Sequence, residues 1–384
     1  GYIFTPGVLT LGMVPPGVVN DKLGWVNTTT IDLGFDLELW RGKLGIIFDV
    51  FKRNENGLLA TRASSLPNTF GASFPQENLN SQWQQGYDFS ISHRNTINAF
   101  SYGLTGTLMY SRTYYKHRER SPDQCTWNTW KNGNDTYNDK GRIQGRVFGY
   151  ERDGIWTDVT QLETAVLHGG NTGNYFMLPG MDRIVDTNGD GVINGNDMLP
   201  IMWSGAGTNP PLQFGLTMNA SYKNFSLVIG LAGSSLFTMS KSRGDQWGYG
   251  TRYQMFLARY LDRWHTVNDT DNPFDPATQW VPGKWEALTV DSRGTTTGNQ
   301  TDKWRVDATY LRVKTIELGY NIPAQYVKYI GLNSARVFVN GYNLFTFCND
   351  FLKDMDPERD EGAYGAGNTY PIMRSFNFGL NVKF

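Results

Sequence analysis

Oxygen-bearing side chains recur at alternate positions in the segment 186–197, whose sequence is DTNGDGVINGND. Calcium takes six to eight oxygen ligands, and a twelve-residue loop supplies them from positions 1, 3, 5, 7, 9 and 12, with glycine at position 6. The residues at those ligand positions are Asp186, Asn188, Asp190, Val192 through its carbonyl, Asn194 and Asp197. We therefore predict a Ca²⁺ ion that braces this loop. The alternative is a tight turn of Asx residues and glycine that holds no ion.

The other side chains that could do chemistry are scattered, and we predict that the protein is not an enzyme. The four histidines, His93, His117, His168 and His265, lie far apart, and neither a Gly-x-Ser-x-Gly nor a His-Glu-x-x-His motif is present. A glycosidase that uses two distant carboxylates in a β fold is the remaining catalytic alternative. Cys125 and Cys348 are too far apart in sequence for a metal or redox motif, and both free thiols and a disulfide remain open.

Composition excludes several classes of protein. The 384 residues include 14% aromatic and only 18% charged side chains, which is not the composition of a disordered chain. No stretch of about 18 apolar residues is present, so a bundle of membrane-spanning helices is excluded. The net charge is −1, which gives no reason to expect nucleic acid as a partner.

Apolar and polar residues alternate strictly in several segments, which predicts β-strands. The last ten residues, Ser375–Phe384, place every large apolar side chain on one face, and the segment Thr29–Leu39 repeats the pattern with acids on the other face. Further alternating segments pair into hairpins across Arg41–Lys43, His93–Asn98 and Lys223–Asn224. Ala324–Gly331 is predicted as a helical turn between two strands in which a bulge interrupts the alternation.

Short and long connections alternate along the chain. Short turns follow every second strand, and the long segments are 53–83, 112–210, 234–305 and 345–371. This order is typical of an outer-membrane barrel, whose strands have an apolar outer face and a polar lumen face. A β-sandwich would not sort its loops so regularly. We therefore predict an all-β fold, a transmembrane antiparallel β-barrel with long extracellular loops, of which 112–211 carries the calcium loop.

Nine strands are predicted, near residues 25–39, 43–52, 84–94, 98–111, 212–222, 225–233, 307–322, 333–344 and 371–384. Residues 1–24 then fall in an outer loop, and Phe384 ends in the periplasm. A barrel must close to leave no strand edge in lipid, and bacterial single-chain barrels have an even number of strands. We therefore expect residues 1–384 to be a C-terminal segment, of about nine or ten strands, of a larger barrel.

Several ordered motifs resemble the SusC/RagA group of TonB-dependent outer-membrane transporters of Bacteroidetes. They are the calcium-type loop, Tyr222–Leu227, Tyr310–Lys314, Leu318–Pro323, Ala335–Phe345 and the closing segment Tyr370–Phe384. The resemblance implies a barrel of about 22 strands with an N-terminal plug, a SusD-like surface lipoprotein as lid, and energy supplied through TonB. The plug, the TonB box and the N-terminal strands have no counterpart in this sequence.

Aromatic residues are assigned to three roles. Tryptophans of the long segments are candidates for contact with substrate or lid, although packing within the loops themselves is the alternative: Trp127, Trp130, Trp156, Trp203, Trp247, Trp280 and Trp285. Residues near strand ends are predicted to form membrane girdles: Trp25, Trp40, Tyr87, Tyr110, Tyr222 and Tyr320. The closing alternation is predicted to be the barrel-assembly signal: Phe376, Phe378, Leu380, Val382 and Phe384.

The expected function is TonB-dependent import of oligosaccharides or peptides across the bacterial outer membrane. The expected partners are the N-terminal plug and barrel part of the same transporter, a SusD-like lipoprotein, the TonB complex and outer-membrane lipid. The alternatives are a passive porin without a plug and a soluble β-rich glycan-binding protein.

Overall fold

The computed structural model describes residues 2–5, 8–10, 18–62, 74–119, 140–168, 177–202, 210–240, 258–287, 301–303, 305–353, 356–358 and 372–384. The first strands in chain order are β1 (Tyr2–Thr5), β2 (Val8–Thr10), β3 (Asn27–Leu39), β4 (Leu44–Thr61), β5 (Gln76–Ile97), β6 (Phe100–His117), β7 (Val147–Gly149), β8 (Arg152–Ile155), β9 (Leu167–His168), β10 (Asp182–Ile184) and β11 (Val192–Ile193). They are followed by β12 (Leu199–Met202), β13 (Leu212–Tyr222), β14 (Phe225–Ser235), β15 (Thr238–Ser240), β16 (His265–Thr266), β17 (Trp280–Val281), β18 (Arg305–Asp307), β19 (Tyr310–Ile322), β20 (Ser334–Cys348) and β21 (Ser375–Lys383).

Helical structure in these residues is confined to short pieces. The helix α1 (Ala324–Val327) continues as the 3₁₀ turn Lys328–Ile330. Further 3₁₀ turns are Val159–Thr164, Gly195–Asp197, Ala258–Leu261 and Asp350–Leu352. Among the described helices, none combines the length and the apolar character needed to cross a membrane.

Nine of the strands form one antiparallel sheet, which we call the wall. Its order is β21-β20-β19-β14-β13-β6-β5-β4-β3, so each strand lies beside its predecessor among the wall strands. All nine predicted strands are present, which confirms an all-β antiparallel barrel segment. The edges of the wall are β3 and β21, the strands that a closed barrel would pair with further strands.

The register keeps apolar side chains on one face of the wall. Leu216 of β13 lies opposite Leu231 of β14, and Leu227 of β14 lies opposite Leu318 of β19. Because side chains alternate across a strand, the polar residues between them share the opposite face. We call the apolar side the outer face and the polar side the inner face.

The wall strands are longer than predicted in the first half of the chain. β4 continues to Thr61, β5 begins at Gln76 and ends at Ile97, and β6 continues to His117, so the long segment predicted as 53–83 is mostly strand. The added N-terminal part of β5, residues 76–83, is mostly polar, with only Leu79 and Trp83 apolar, so it has too little alternation to reveal it. Its backbone is held instead by continuous pairing with β4 and β6.

Tight turns close the hairpins at one end of the wall. The turn predicted at His93–Asn98 lies further along, at Asn98-Ala99, because His93 pairs with Leu104 inside the ladder. The first turn comprises residues 40–43, one residue more than the predicted Arg41–Lys43, and Trp40, Arg41 and Gly42 in it have positive φ angles. The predicted helical turn at Ala324–Gly331 is confirmed, and so is the bulge, between Val313 and Thr315 of β19.

Described parts of the long segments fold into what we call the loop lobe, residues 140–168, 177–202, 238–240, 258–287, 301–303 and 305–309. Its strands pair two by two, β7 with β12, β8 with β10, β9 with β11, β15 with β18 and β16 with β17. Its largest core contains Trp156, Met177, Leu178, Met181, Trp264 and Ala287. A second core, around Ile193, Tyr150 and Ile184, packs beneath the calcium-type loop. The long segments therefore contain cores of their own.

Candidate functional site: the inner face and the loop lobe

Carboxylates from three neighbouring strands lie on the inner face of the wall. Asp49 of β4 lies opposite Asp88 of β5 on one side and opposite Gly34 of β3 on the other. A Cβ atom on Gly34 would collide with the Asp49 carboxylate, so glycine makes room for that side chain. Asp32 and Asp36 lie on the same face of β3, because residues two apart in a strand share a face. This part of the inner face is therefore acidic.

A second polar group crosses four strands of the inner face. The Arg336 guanidinium donates to Glu317 at 2.6 Å and to Ser226 at 3.2 Å. The Asn340 amide donates to the same Glu317 carboxylate at 3.4 Å and accepts from Asn377 at 2.9 Å. These bonds fix the side chains of β14, β19, β20 and β21 relative to one another. The inner face at this position is a fixed polar surface.

The segment after β20 is attached to the inner face by a buried ionic group that we call the latch. It comprises Tyr310, Arg312, Lys314, Thr346, Asp356 and Glu358. The Arg312 guanidinium donates to Asp356 at 2.6 Å and to Glu358 at 2.7 Å, and its Nε donates to Thr346 at 2.9 Å. Lys314 and the Tyr310 hydroxyl also donate to Glu358, at 2.6 and 2.8 Å. Glu358 lies in the segment 345–371, predicted from sequence as a long connection, and it is bound to the wall.

Two carboxylates are buried side by side in the loop lobe, in what we call the carboxylate pair, Asp182 and Glu286. The Lys303 ammonium lies between them, 3.4 Å from Asp182 Oδ1 and 3.2 Å from Glu286 Oε1. Thr301 donates to Asp182 at 2.9 Å, and the Arg152 guanidinium lies 3.7 Å away. Burial, and then the nearby Glu286 charge, raise the pKa of Asp182 above its ordinary value. Together with Lys303, the pair joins three separate segments of the lobe.

The tryptophans that the structure describes in this lobe belong to its core. Trp156 and Trp285 are buried, and Trp280 packs against the same cluster as Trp156. These three side chains pack within the loops themselves, which is the alternative that the sequence left open. Trp264, not singled out from sequence, is buried against Gly180, where a Cβ would meet its indole ring. Trp127, Trp130, Trp203 and Trp247 lie outside the described residues, and their contact with substrate or lid stays a prediction.

The calcium-type loop is closed by hydrogen bonds from its own side chains. Asp186 accepts from the backbone N–H groups of Gly189 and Gly191, at 2.7 and 2.9 Å. Asp197 is fully buried and accepts from the N–H groups of Thr187 at 3.0 Å and Asn194 at 2.8 Å. Burial raises the pKa of Asp197, although these N–H bonds favour its charged form. Asp197, the last residue of the predicted Ca²⁺ ligand set, therefore stabilises the loop backbone through these hydrogen bonds.

The donor chemistry of this loop suits Ca²⁺, since carboxylate, amide and carbonyl oxygens are all present. Within the described part of the chain, no group of three or more His, Cys, Asp or Glu side chains is close enough to hold a metal ion. Ca²⁺ at Asp186, Asn188, Asp190, Val192, Asn194 and Asp197 stays a prediction.

Calorimetric titration with Ca²⁺ checks this assignment. We expect binding heat from the wild-type protein and none from the Asp190→Ala variant. Asp190 is an exposed predicted ligand whose side-chain contacts are confined to the loop, with Val192 N–H and the Asn188 amide, so its loss removes a charge without opening a core. Asp275→Ala is the matched control, because Asp275 also caps an exposed turn, at Ala277 N–H. Equal heats in wild type and Asp190→Ala would show that the loop closes without an ion.

The closing strand presents its predicted assembly signal on the outer face. Phe376, Phe378, Leu380 and Val382 of β21, with Phe384, are all exposed at the edge of the wall. Their role in barrel assembly stays a prediction. Of the predicted girdle residues, Trp25, Trp40 and Tyr222 are exposed beside strand ends, whereas Tyr87 and Tyr110 stack on each other in the middle of their strands. The greater length of β5 and β6 is the reason for that difference.

Known proteins similar to this chain are TonB-dependent receptors. The chain is 26% identical over 404 residues to TonB-dependent receptor P3 of Formosa agariphila, covering 97% of this chain and 36% of that protein. It is 24% identical over 382 residues to TonB-dependent receptor SusC of Bacteroides thetaiotaomicron, covering 96% of this chain and 33% of SusC. No protein-family model matches the chain. The chain thus spans about a third of the length of the curated relatives it matches.

Solved structures of a peptide importer share the fold. The RagAB peptide importer in its closed-closed state superposes with a TM-score of 0.62 at 18% identity, covering 99% of this chain and 38% of that chain. Its open-open state gives 0.61 at 18% identity, covering 96% and 36%. These similarities agree with the motifs that resemble the SusC/RagA group in the sequence. The antiparallel wall with one apolar and one polar face agrees with them as well. In sequence the chain is similar to about a third of TonB-dependent receptors such as SusC, and in fold it is similar to part of the RagAB peptide importer.

Proposed function

We propose that this chain forms the C-terminal wall and loop lobe of an outer-membrane importer. The complete protein takes up oligosaccharides or peptides, is closed on the outside by a SusD-like lipoprotein lid, and draws energy from TonB through an N-terminal plug. The wall supplies the path, and the lobe supplies a preformed surface at its outer mouth. The proposal includes no catalytic step, in keeping with relatives that are named as receptors and transporters.

The observation that carries this proposal is the separation of chemistry between the two faces of the wall. The outer face exposes aliphatic and aromatic side chains, such as Leu33, Phe35 and Leu318, which suit lipid. The inner face carries acidic side chains, such as Asp49 and Asp88, and the hydrogen-bonded Glu317 group. A polar cargo moving along this face would replace its hydrogen bonds to water by hydrogen bonds to these groups, at a small cost in free energy.

The ordered structure of the loop lobe is an argument for a lid that docks at its outer end. Its carboxylate pair and its tryptophan core hold segments that are far apart in sequence, so its surface exists before any partner arrives. A preformed surface binds with a smaller loss of conformational freedom than a loop that must fold first. A surface lipoprotein that docks and releases repeatedly fits such a lobe.

The two alternatives differ from this proposal in what they require. A passive porin would conduct without TonB, and a soluble glycan-binding protein would have no use for the apolar outer face of nine strands. The exposed side chains of that face count against the soluble alternative. Whether uptake requires TonB decides between the importer and the passive porin.

Uptake in cells tests the proposal. Labelled oligosaccharides and peptides are offered to cells with the intact gene, with the gene deleted, and with the TonB box of the full-length protein deleted. We expect uptake of one substrate class to be lost in both deletions, while the protein needs detergent for extraction and co-purifies with a lipoprotein. Uptake that survives removal of the TonB box would favour the porin, and release by salt alone would favour the soluble protein.

A further inference from the structure

The latch contains a set of donors that binds both oxygens of one carboxylate. The Arg312 guanidinium and the Lys314 ammonium donate to Oε2 of Glu358, at 2.7 and 2.6 Å, and the Tyr310 hydroxyl donates to Oε1 at 2.8 Å. Two of the three donors carry a charge, and hydrogen bonds between charged groups are shorter and stronger than neutral ones. We call Tyr310, Arg312 and Lys314 the donor trio.

The donor trio belongs to a single strand, so its geometry comes from the wall. Tyr310 and Arg312 of β19 share the inner face, because residues two apart in a strand point to the same side. Lys314 is the extra residue of the bulge between Val313 and Thr315, and its bond within the latch shows that it points to that side as well. Bulges re-aim side chains in this way. The trio therefore does not depend on the segment that it binds.

The two carboxylates of the latch differ in burial. The Asp356 side chain is 5% exposed, and it accepts from Arg312 at 2.6 Å and from the Ile372 N–H at 3.3 Å. The Glu358 side chain is 17% exposed, and its partner Lys314 is 36% exposed. Water therefore reaches the Glu358 end of the latch. Asp356 attaches the segment to the wall, whereas Glu358 occupies a position that a solute can reach.

The charge balance of the latch favours an anion in the position of Glu358. With Arg312 and Lys314 facing two carboxylates, the closed latch is neutral. Departure of Glu358 leaves two cations against one carboxylate. The next carboxylate along β19, Glu317, is already paired with Arg336 at 2.6 Å and does not compensate. A guanidinium presents a planar set of donors, and a carboxylate matches it better than other anions of similar size.

A groove on the inner face leads to the donor trio. Its volume is about 490 Å³, and Tyr310 lines it at the β19 end. From there the lining continues through Ser234, Gln213 and Met109, which lie opposite one another on successive strands. At about 4.8 Å between strands this row is about 14 Å long, the length of an extended chain of about four residues. A cargo molecule lying in the groove reaches the trio with its end.

We propose that the donor trio is a binding site for a carboxylate group of the cargo, which displaces Glu358 while Asp356 keeps the segment attached. Cargo of this class is a peptide with a free C-terminus or an oligosaccharide that contains a uronic acid. Glu358 is the internal occupant of the site when cargo is absent, and it lowers the apparent affinity by the fraction of time that it closes the site. This inference rests on the importer proposed above and names the chemical group by which it selects cargo.

Retention of charged and esterified cargo pools by the purified full-length protein tests this site. One probe is a protease digest of casein, whose peptides have free C-termini, and the other is a mixture of oligogalacturonides, which carry a carboxylate on each sugar. Each pool is offered as it is and after methyl esterification, which removes the negative charge. The amount retained is measured by equilibrium dialysis and mass spectrometry at one fixed salt concentration, because salt screens exposed charges.

We expect one charged pool to be retained in preference to its esterified form, and that pool identifies the source of the carboxylate. Glu358→Gln removes the internal competitor and should raise the affinity for this pool about tenfold. Lys314→Met removes one charged donor and should lower it about fivefold. Asp350→Asn is the matched control, because it removes a carboxylate from the same segment whose side chain is 88% exposed and pairs with Lys353. This variant should retain the pools as the wild type does.

Equal retention of charged and esterified pools, or no retention of any pool, would refute the site. Retention of a charged pool that does not rise in Glu358→Gln would also refute it, because Glu358 would then be a structural contact only. The uptake experiment described above separates these results from failure of the importer. TonB-dependent uptake together with equal retention refutes the site and leaves the importer in place. Retention that rises in Glu358→Gln, in a protein whose uptake does not need TonB, supports the site and refutes the importer.

Discussion

Replacing Arg312 by methionine is expected to release the segment after β20 from the inner face of the wall. The Arg312 side chain is 3% exposed and its partner Asp356 is 5% exposed, so the pair is removed from water. Loss of one member of a buried pair leaves the other charge without compensation, which costs about 3–5 kcal/mol. At about 1.4 kcal/mol for each factor of ten, the open form of the latch becomes more populated by a factor of at least about a hundred.

Limited trypsin digestion of the folded full-length protein measures that opening. Lys353 lies just before the latch segment and its side chain is exposed, so cleavage there reports access to the backbone. The cleavage rate should rise by about a hundredfold or more in Arg312→Met when opening and closing are faster than cleavage. An unchanged rate would mean that the latch does not hold the segment.

Two further variants separate charge from packing in this group. Lys314→Met removes a cation that is 36% exposed and bonded to the same Glu358, so we expect an effect of less than about 1 kcal/mol. Arg312→Met combined with Asp356→Leu replaces the most deeply buried ion pair of the latch by apolar groups, while Glu358 keeps its bonds from Lys314 and Tyr310. The double variant should recover much of the protection, because apolar replacements of buried pairs are often neutral or stabilising.

Replacing Lys303 by methionine is expected to open the loop lobe at neutral pH and to leave it closed in acid. The variant leaves Asp182 and Glu286, whose side chains are 0% and 2% exposed, without the ammonium that lies between them. The expected cost at neutral pH is about 3–5 kcal/mol, since two like charges then share a buried site. Lys303→Arg keeps the cation and should lose much less.

The pH dependence follows from the direction of the Asp182 pKa. In the folded lobe, burial and Glu286 raise this pKa above 3.8, while Lys303, Arg152 and Thr301 draw it down. Removal of Lys303 raises it further. A carboxyl group with a raised folded-state pKa binds its proton more tightly in the native state, so its contribution to stability is highest at low pH. That contribution is lost as the pH rises from the unfolded-state value through the folded-state value.

Hydrogen exchange, corrected for the intrinsic rate at each pH, measures lobe opening in peptides that contain Asp182 and Glu286. We expect fast exchange in Lys303→Met at neutral pH and recovery of protection as the pH falls through the raised pKa. Arg183→Met is the control, because its partner Asp153 is 54% exposed and ion pairs screened by solvent contribute little to stability. Protection in Lys303→Met that does not depend on pH would contradict the role given to the carboxylate pair.

The sequence by itself determined the strands, their faces and the order of their neighbours. Each wall strand records its own two faces, because side chains alternate along any extended backbone, as in Phe376, Phe378 and Leu380. Tight connections such as Lys223–Asn224 make consecutive strands neighbours, so the order of the wall could be read without coordinates. Where most side chains are polar, as in residues 76–83 of β5, this signal is weak and the predicted strand is too short.

Only the tertiary structure decided which polar groups of the long segments meet. Lys303 and Asp182 are 121 residues apart and Arg312 and Glu358 are 46 apart, and no period in the sequence relates such positions. The burial of Trp156 and Trp285 was equally open, because an indole ring in a loop suits a core as well as a binding surface. Side-chain alternation is a property of the local backbone, whereas ion pairs and loop cores depend on how distant segments pack.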